Sequence, residues 1–369
     1  MAKKLIFILT LLFAALGREL LYPEPQKDNP DNWGNHPRPH RPKRRHDKDD
    51  HDDQDDSPHR WNHPIQNNTR PVIGILSLPI HPYEPWNTTA NTYIAASYVK
   101  FVEMGGARVV PLRVDQSFEE LNFLFSRLNG ILFTGGGANV WTNDSIPTWT
   151  PDYTEKACYL YRLVKEANDN GNYYPLWGTC LGFEAIQVCE NNEFETLGNF
   201  NGEPPYTQSH DFTPKAKWSY LFNGIGRKYG EIIRKIMTDR KTSLLSHSHG
   251  VSPSMYQGEN NLTATFNMLS TMLDKSGNRF VGIIEGKKYP IFATQFHPEK
   301  NIYEWDPQVP QPHDFYSVKV STYFADFLVS EARRNNNSFE SEEELKPYLI
   351  YNWWPIYQNG YFTQSYYFQ

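Results

Sequence analysis

The stretch Pro175-Leu176-Trp177-Gly178-Thr179-Cys180-Leu181-Gly182-Phe183-Glu184 decides how the rest of the chain is read. A short apolar run ends in Gly-x-Cys-x-Gly, and from Phe183 to Cys189 apolar residues recur at helical spacing. That order predicts strand, tight turn and helix. The two glycines permit a sharp turn and close packing, so the central side chain stands above a sheet edge, as in a nucleophile elbow. A cysteine there sits at a helix N-terminus, where the dipole and unpaired N–H groups favour thiolate. Burial in a core is the commoner fate of a free cysteine, but packing alone does not explain glycine at both −2 and +2.

The segments upstream of the elbow repeat one pattern. Pro71-Val72-Ile73-Gly74-Ile75-Leu76-Ser77 is a β-branched run that predicts a buried strand. Asn91 to Met104 carries an apolar stripe at Ile94, Ala95, Tyr98, Val99 and Val102, a helix ended by Gly105-Gly106. Ala107 to Leu112 predicts a second strand, and Ser117-x-x-Glu120 a capping box opening a helix through Leu128. Gly130 to Thr134 predicts a third strand, with Gly135-Gly136-Gly137 directly after it, and 152–170 a helix leading into the elbow strand. The expected fold class is therefore α/β: a three-layer, doubly wound, mostly parallel sheet with helices on both faces. Ligands of such sheets bind at the carboxyl ends of the strands. The glycine run and Cys180 share that address.

Downstream, residues 191–243 are less regular, with a loop at 199–205 and a helix near 227–238. From 243 the pattern is β-rich. Strands are expected at 244–250, 279–285 and 289–296, a last amphipathic helix at 314–334, and an aromatic-rich tail that packs back on the domain. His297-Pro298-Glu299 follows the last strand at once. In extended backbone, residues two apart point the same way, so a carboxylate can hold the imidazole while its other nitrogen faces Cys180. Acyl transfer also needs donors for an oxyanion. The N–H of Leu181, next after the nucleophile, and that of Gly136 are the candidates. No Gly-Lys-Ser/Thr follows the glycine run, which argues against a phosphate cradle.

Composition sets outer bounds. The 369 residues carry a formal charge of −6, so no basic footprint points to nucleic acid. Residues 1–17 read as a secretory signal peptide: Lys3 and Lys4, an apolar run from Leu5 to Leu16, then small residues. Residues 18–69 are charged and His-rich with almost no aliphatic content, and are expected to be disordered. Residues 70–369 are expected to form a single domain. Sequons at Asn67, Asn87, Asn143, Asn261 and Asn336 fit passage through the secretory pathway, to the exterior or to a lysosome- or vacuole-like compartment. No later apolar run is long enough to span a membrane once the leader is cleaved. Of three cysteines, at least one is unpaired; whether Cys158 and Cys189 pair is open.

From about 71 to 335 the chain resembles the class I glutamine amidotransferase-like superfamily and, within it, the gamma-glutamyl hydrolase family. The words that carry the resemblance are Tyr93 to Lys100, Gly105 to Pro111, Asn129 to Phe133, Trp177 to Glu184, Gln295 to Lys300, Tyr303-Glu304-Trp305 and Glu331-Ala332-Arg333. The resemblance implies Cys180 as nucleophile, His297 as base and acid, Glu299 as its orienter, and Gly136 and Leu181 as the oxyanion hole. It puts His247, Glu184 and Tyr93 on the substrate side. The glycine turn departs from the pattern, reading Thr-Gly-Gly-Gly where Pro-Gly-Gly is more usual. The implied activity is hydrolysis of γ-glutamyl bonds in folate polyglutamates through an acyl-enzyme, with no metal or cofactor. By analogy a homodimer is possible, with residues after about 335 at its contact. The alternatives are a glutaminase subunit supplying ammonia to a synthase, against which the leader and the lack of a synthase domain count, and an inactive binding homologue.

Overall fold

Val72–Leu76 (β1), Arg108–Leu112 (β2), Ile131–Phe133 (β3) and Leu176–Thr179 (β4) are short runs buried along almost their whole length. Strands covered on both faces read this way, as continuous apolar runs without alternation. In the computed structural model they join Asp211–Phe212 (β5), Phe266–Leu273 (β6), Arg279–Gly286 (β7) and Ile291–Thr294 (β8) in one eight-stranded sheet of order 2-1-3-4-8-7-6-5. The pairs from β2 through β8 in that order are parallel, and the β8–β7, β7–β6 and β6–β5 pairs are antiparallel. The model describes residues 66–80, 89–138, 140, 151–192, 194–358 and 360–369. The leader at 1–17, the segment 18–65 and the sequons at Asn87 and Asn143 lie outside these.

The helices are Ala96–Met104 (α1), Phe118–Phe125 (α2), Pro151–Asp169 (α3), Leu181–Asn191 (α4), Arg227–Asp239 (α5) and Phe315–Ala332 (α6). The capping box of α2 forms as expected: Ser117 Oγ accepts from the Glu120 N–H, and the Glu120 carboxylate from the Ser117 N–H. Successive side chains of a strand point to opposite faces, and β4 uses this directly. Trp177 packs on Phe324 of α6, whereas a methyl on Gly178 would meet Ile186 of α4 at 2.6 Å. Helices α1 and α5 also touch α6, while α3 touches α4. The sheet is thus covered on both faces.

The sheet order positions the site. Strands β3, β4 and β8 are neighbours, with Phe133 opposite Gly178 and Thr179 opposite Thr294. Their carboxyl ends release the glycine turn, Cys180 and the His297 segment side by side.

Two expectations change. The helix expected from Asn91 starts only at Ala96, because Thr92–Ala95 is a strand paired antiparallel with Gln364–Phe368 of the tail. The run 244–250 is not one strand. Ser243–Leu245 pairs with Tyr206–Gln208, and His249–Gly250 with Gly198–Asn199. Two different partners force a bend between them, and that bend carries His247 towards the cleft.

Candidate active site

Cys180 is the last residue before α4, and its backbone is strained: φ is 51° and ψ −105°, a left-hand-side conformation that a side chain rarely adopts. The Cys180 N–H donates to Thr294 O at 2.8 Å, which ties the elbow to β8. A methyl on Gly182 would collide with the Phe133 backbone. Both glycines of the motif are therefore needed for space. The thiol lies 3.7 Å from Ser246 O, to which it donates. Burial pushes this thiol well above its ordinary range, Glu184 and Glu299 add to the effect, and Lys300 and the Leu181 N–H oppose it. Burial thus favours thiol over thiolate at Cys180.

An imidazole borders the same cleft. His297 Nδ1 lies 2.8 Å from Glu299 Oε1, with both residues buried. A carboxylate only accepts, so Nδ1 is the nitrogen that holds the proton. Nε2 then carries a free lone pair, and it has no hydrogen-bond partner among the described residues. Burial lowers the imidazole's proton affinity while the Glu299 charge raises it again. A methyl built on Gly135 would approach His297 Cε1 at 2.7 Å and Cys180 Cβ at 2.9 Å. The ring and the cysteine therefore border the same small space.

Gly135 also shows a residue that sequence reading missed. Its N–H donates to Tyr98 Oη at 2.7 Å, and that hydroxyl lies 3.3 Å from His297 Nδ1. Burial first, and then the Glu299 charge, hold this phenol well above its ordinary range, so it stays neutral between the glycine turn and the imidazole. Tyr98 therefore couples the glycine turn to the imidazole. Its place in the apolar stripe of α1 gave no sign of a polar task. Tyr98→Phe keeps the ring and removes the link. It is expected to lower kcat by about one to two orders of magnitude, as for outer hydrogen bonds that orient a ligand, with a melting temperature near that of the unmodified chain.

The cleft has two arms of about 290 Å³ each, both bordered by Cys180, Gly136, Gly137, Glu203 and Ser246. The first arm adds Leu181, Glu184 and His247. The second adds Tyr93, His297, Tyr361 and Phe362. All eight residues expected at the site thus come together: Gly136, Leu181, His247, Glu184 and Tyr93 border the arms, and Glu299 stands behind His297. A larger cavity of about 820 Å³, between Lys215, Tyr256 and Lys287, contains none of them. Tyr361 and Phe362 were not anticipated.

His247 Nδ1 lies 2.7 Å from His249 O, so it donates, and its buried Nε2 is an unpartnered acceptor. Burial holds this imidazole at about 4, hence neutral. Glu184 accepts from Gln295 Nε2 at 2.9 Å, and burial pushes its carboxyl up to about 8. A carboxyl raised on folding stabilises the fold in full below its unfolded value and loses that contribution as pH rises through about 8. Glu184→Gln should therefore flatten the stability-against-pH curve between about pH 5 and 8, by on the order of a few kcal/mol. Urea denaturation at several pH values reads this directly, and parallel curves for the two proteins would refute it.

Cys158 and Cys189 form a disulfide between α3 and α4, which answers the pairing question and leaves Cys180 as the free cysteine.

A thiol on a strained elbow, an imidazole fixed by a carboxylate, and a glycine turn at neighbouring strand ends define a hydrolase of the cysteine peptidase type. A profile of the Peptidase C26 family matches residues 71–197. Gamma-glutamyl hydrolase B of Dictyostelium discoideum is 38% identical over 291 residues, covering 79% of this chain and 80% of that one. Gamma-glutamyl hydrolase 1 of Arabidopsis thaliana is 36% identical, over 79% of both chains. The Homo sapiens gamma-glutamyl hydrolase is 35% identical, over 81% of this chain and 90% of that one. The chain belongs to the gamma-glutamyl hydrolase family. A solved glutamine amidotransferase from Thermotoga maritima covers 72% of this chain and 95% of its own at 12% identity and a TM-score of 0.33, too loose a likeness to bear on the site.

Proposed function

We propose that this chain cleaves γ-glutamyl bonds of folate polyglutamates, with Cys180 as nucleophile, His297 as base and acid, and Glu299 as orienter. The observation that carries the reading is the Nδ1–Glu299 bond, which leaves Nε2 without a partner on a ring that shares its cleft with the free cysteine. The relatives' own names supply the bond type.

In the reaction, the Cys180 proton passes to His297 Nε2 as sulfur attacks the γ-carbonyl carbon. The carbonyl oxygen takes the displaced electron pair and is met by the N–H groups of Leu181 and Gly136. Collapse breaks the C–N bond, and the departing amine leaves with the proton from His297. Water then attacks the thioester, giving one proton to Nε2; the C–S bond breaks, sulfur takes that proton back, and the γ-carboxylic acid leaves and gives its remaining proton to solvent. The bare Nε2 of His247 is suited to accept from a substrate N–H in the first arm.

The setting proposed is the secretory pathway, ending outside the cell or in a lysosome-like compartment. A disulfide in a cysteine-poor chain suits an oxidising compartment, and the exposed sequon asparagines Asn67, Asn261 and Asn336 are accessible to glycosylation.

The test is to incubate purified protein with a pteroyl-polyglutamate and follow its shortening by chromatography, with Cys180→Ala as control. Shortening by the unmodified chain alone supports the reading. No shortening, or equal shortening by both, ends it.

A further inference from the structure

Lys300 follows Glu299 directly and opens the short helix Lys300–Tyr303. It is fully buried, and its Nζ has no hydrogen-bond partner among the described residues. Burying an uncompensated cation costs several kcal/mol, so a buried lysine with no carboxylate on it needs a reason. What holds it is aromatic. Nζ lies 3.7 Å from the ring centre of Tyr361 and 4.4 Å from that of Phe362, within the range where a ring face attracts an ammonium. Both rings belong to the tail, and both line the cleft at Cys180.

We infer that Lys300, clamped by Tyr361 and Phe362, is a positioning residue for the nucleophile, a fixed positive charge that stabilises Cys180 as thiolate when its proton leaves for His297. The inference rests on the proposed nucleophile but not on the proposed substrate.

The charges facing the thiol come from every element packed on it. Burial opposes thiolate most and the Glu299 charge adds to it, while Glu184 of α4, its carboxyl pushed up to about 8, adds its charge only as pH rises through that value. Tyr98 of α1 and Tyr153 of α3 are neutral phenols, held so by burial. His297 is the proton acceptor, His247 and Glu203 border the same cleft, and the Tyr361 ring stands over Lys300. Lys300 is the only lysine or arginine of this set, and its charge counters burial and the Glu299 carboxylate at sulfur. Its effect on His297 runs the other way, against the imidazolium, where Glu299 compensates. Glu299 and Lys300, consecutive in the chain, thus divide the work: the carboxylate stabilises the protonated ring and the ammonium the sulfur anion.

The experiment is the pH dependence of Cys180 alkylation by iodoacetamide, which needs no substrate. Lys300→Met keeps the length of the side chain and places an apolar group between the rings. Its alkylation midpoint should move up by on the order of one pH unit, and its rate at pH 7 should fall about tenfold. Lys300→Arg keeps the charge and should return the midpoint to within a few tenths of a unit. Phe362→Leu keeps the lysine but removes one ring face, and should shift the midpoint the same way by a smaller amount; it serves alone if Lys300→Met does not fold. An unchanged midpoint in the folded Met or Leu variant overturns the inference, as does an Arg variant shifted as far as Met. Failure to shorten polyglutamates would count against the substrate and leave these midpoints standing.

Discussion

Glu299→Gln is expected to lower kcat by on the order of ten-thousandfold, the size seen when a triad carboxylate becomes an amide. The cause lies in one proton. The carboxylate at 2.8 Å fixes hydrogen on Nδ1 and leaves Nε2 basic. A glutamine amide can instead donate to Nδ1, and the ring then carries its hydrogen on Nε2, with no lone pair left there to take a proton. Burial already depresses the imidazole, and without the Glu299 charge the imidazolium formed during attack is less stable still. Steady-state kinetics with a circular dichroism spectrum as fold control measures this. A loss below tenfold would mean that the ring is oriented by something else.

Gly135→Ala is the second large effect. A methyl there would lie 2.7 Å from both Tyr98 Oη and His297 Cε1 and 2.9 Å from Cys180 Cβ. Each of these distances is shorter than real methyl contacts, and each neighbour is a group the chemistry uses. Relief by moving the turn would displace Gly136, the proposed oxyanion donor, and strain the Gly135–Tyr98 hydrogen bond. Misplacement by about 1 Å costs roughly a hundredfold in rate, so a loss of about a hundredfold to a thousandfold in kcat is expected. The overpacking should cost about 1–3 kcal/mol in stability. Kinetics together with thermal unfolding separates the two contributions. Activity within threefold of the unmodified chain would show that the turn has room to relax.

The parts of this site that lie close together in sequence were legible there. Gly178, Cys180 and Gly182 announce the elbow by spacing alone, and His297 and Glu299 are two residues apart on one strand exit. What brings these two words together is the sheet order, and the βα alternation was enough to place both at carboxyl ends. Tyr98, Lys300, Tyr361 and Phe362 were not legible as site residues, for a common reason. Their roles depend on the pairing of Thr92–Ala95 with Gln364–Phe368, across most of the chain. A run such as Thr92-Tyr93-Ile94-Ala95 fits either the start of a helix or a strand, and a distant partner decides which. Lys300 offers no periodic signal, since its burial depends on rings sixty residues away. The bend that turns His247 inward is of the same kind, set by two strand partners rather than by its own residues.

The Cys158–Cys189 pairing carries a practical consequence. With two of the three cysteine sulfurs bonded to each other, a native molecule has one titratable thiol, and it is the proposed nucleophile. A stoichiometric thiol count on an unreduced preparation is therefore also a census of intact centres. A value of one per chain marks a fully competent sample, a value below one measures the fraction lost to oxidation, and a value near three marks molecules whose bridge has been opened.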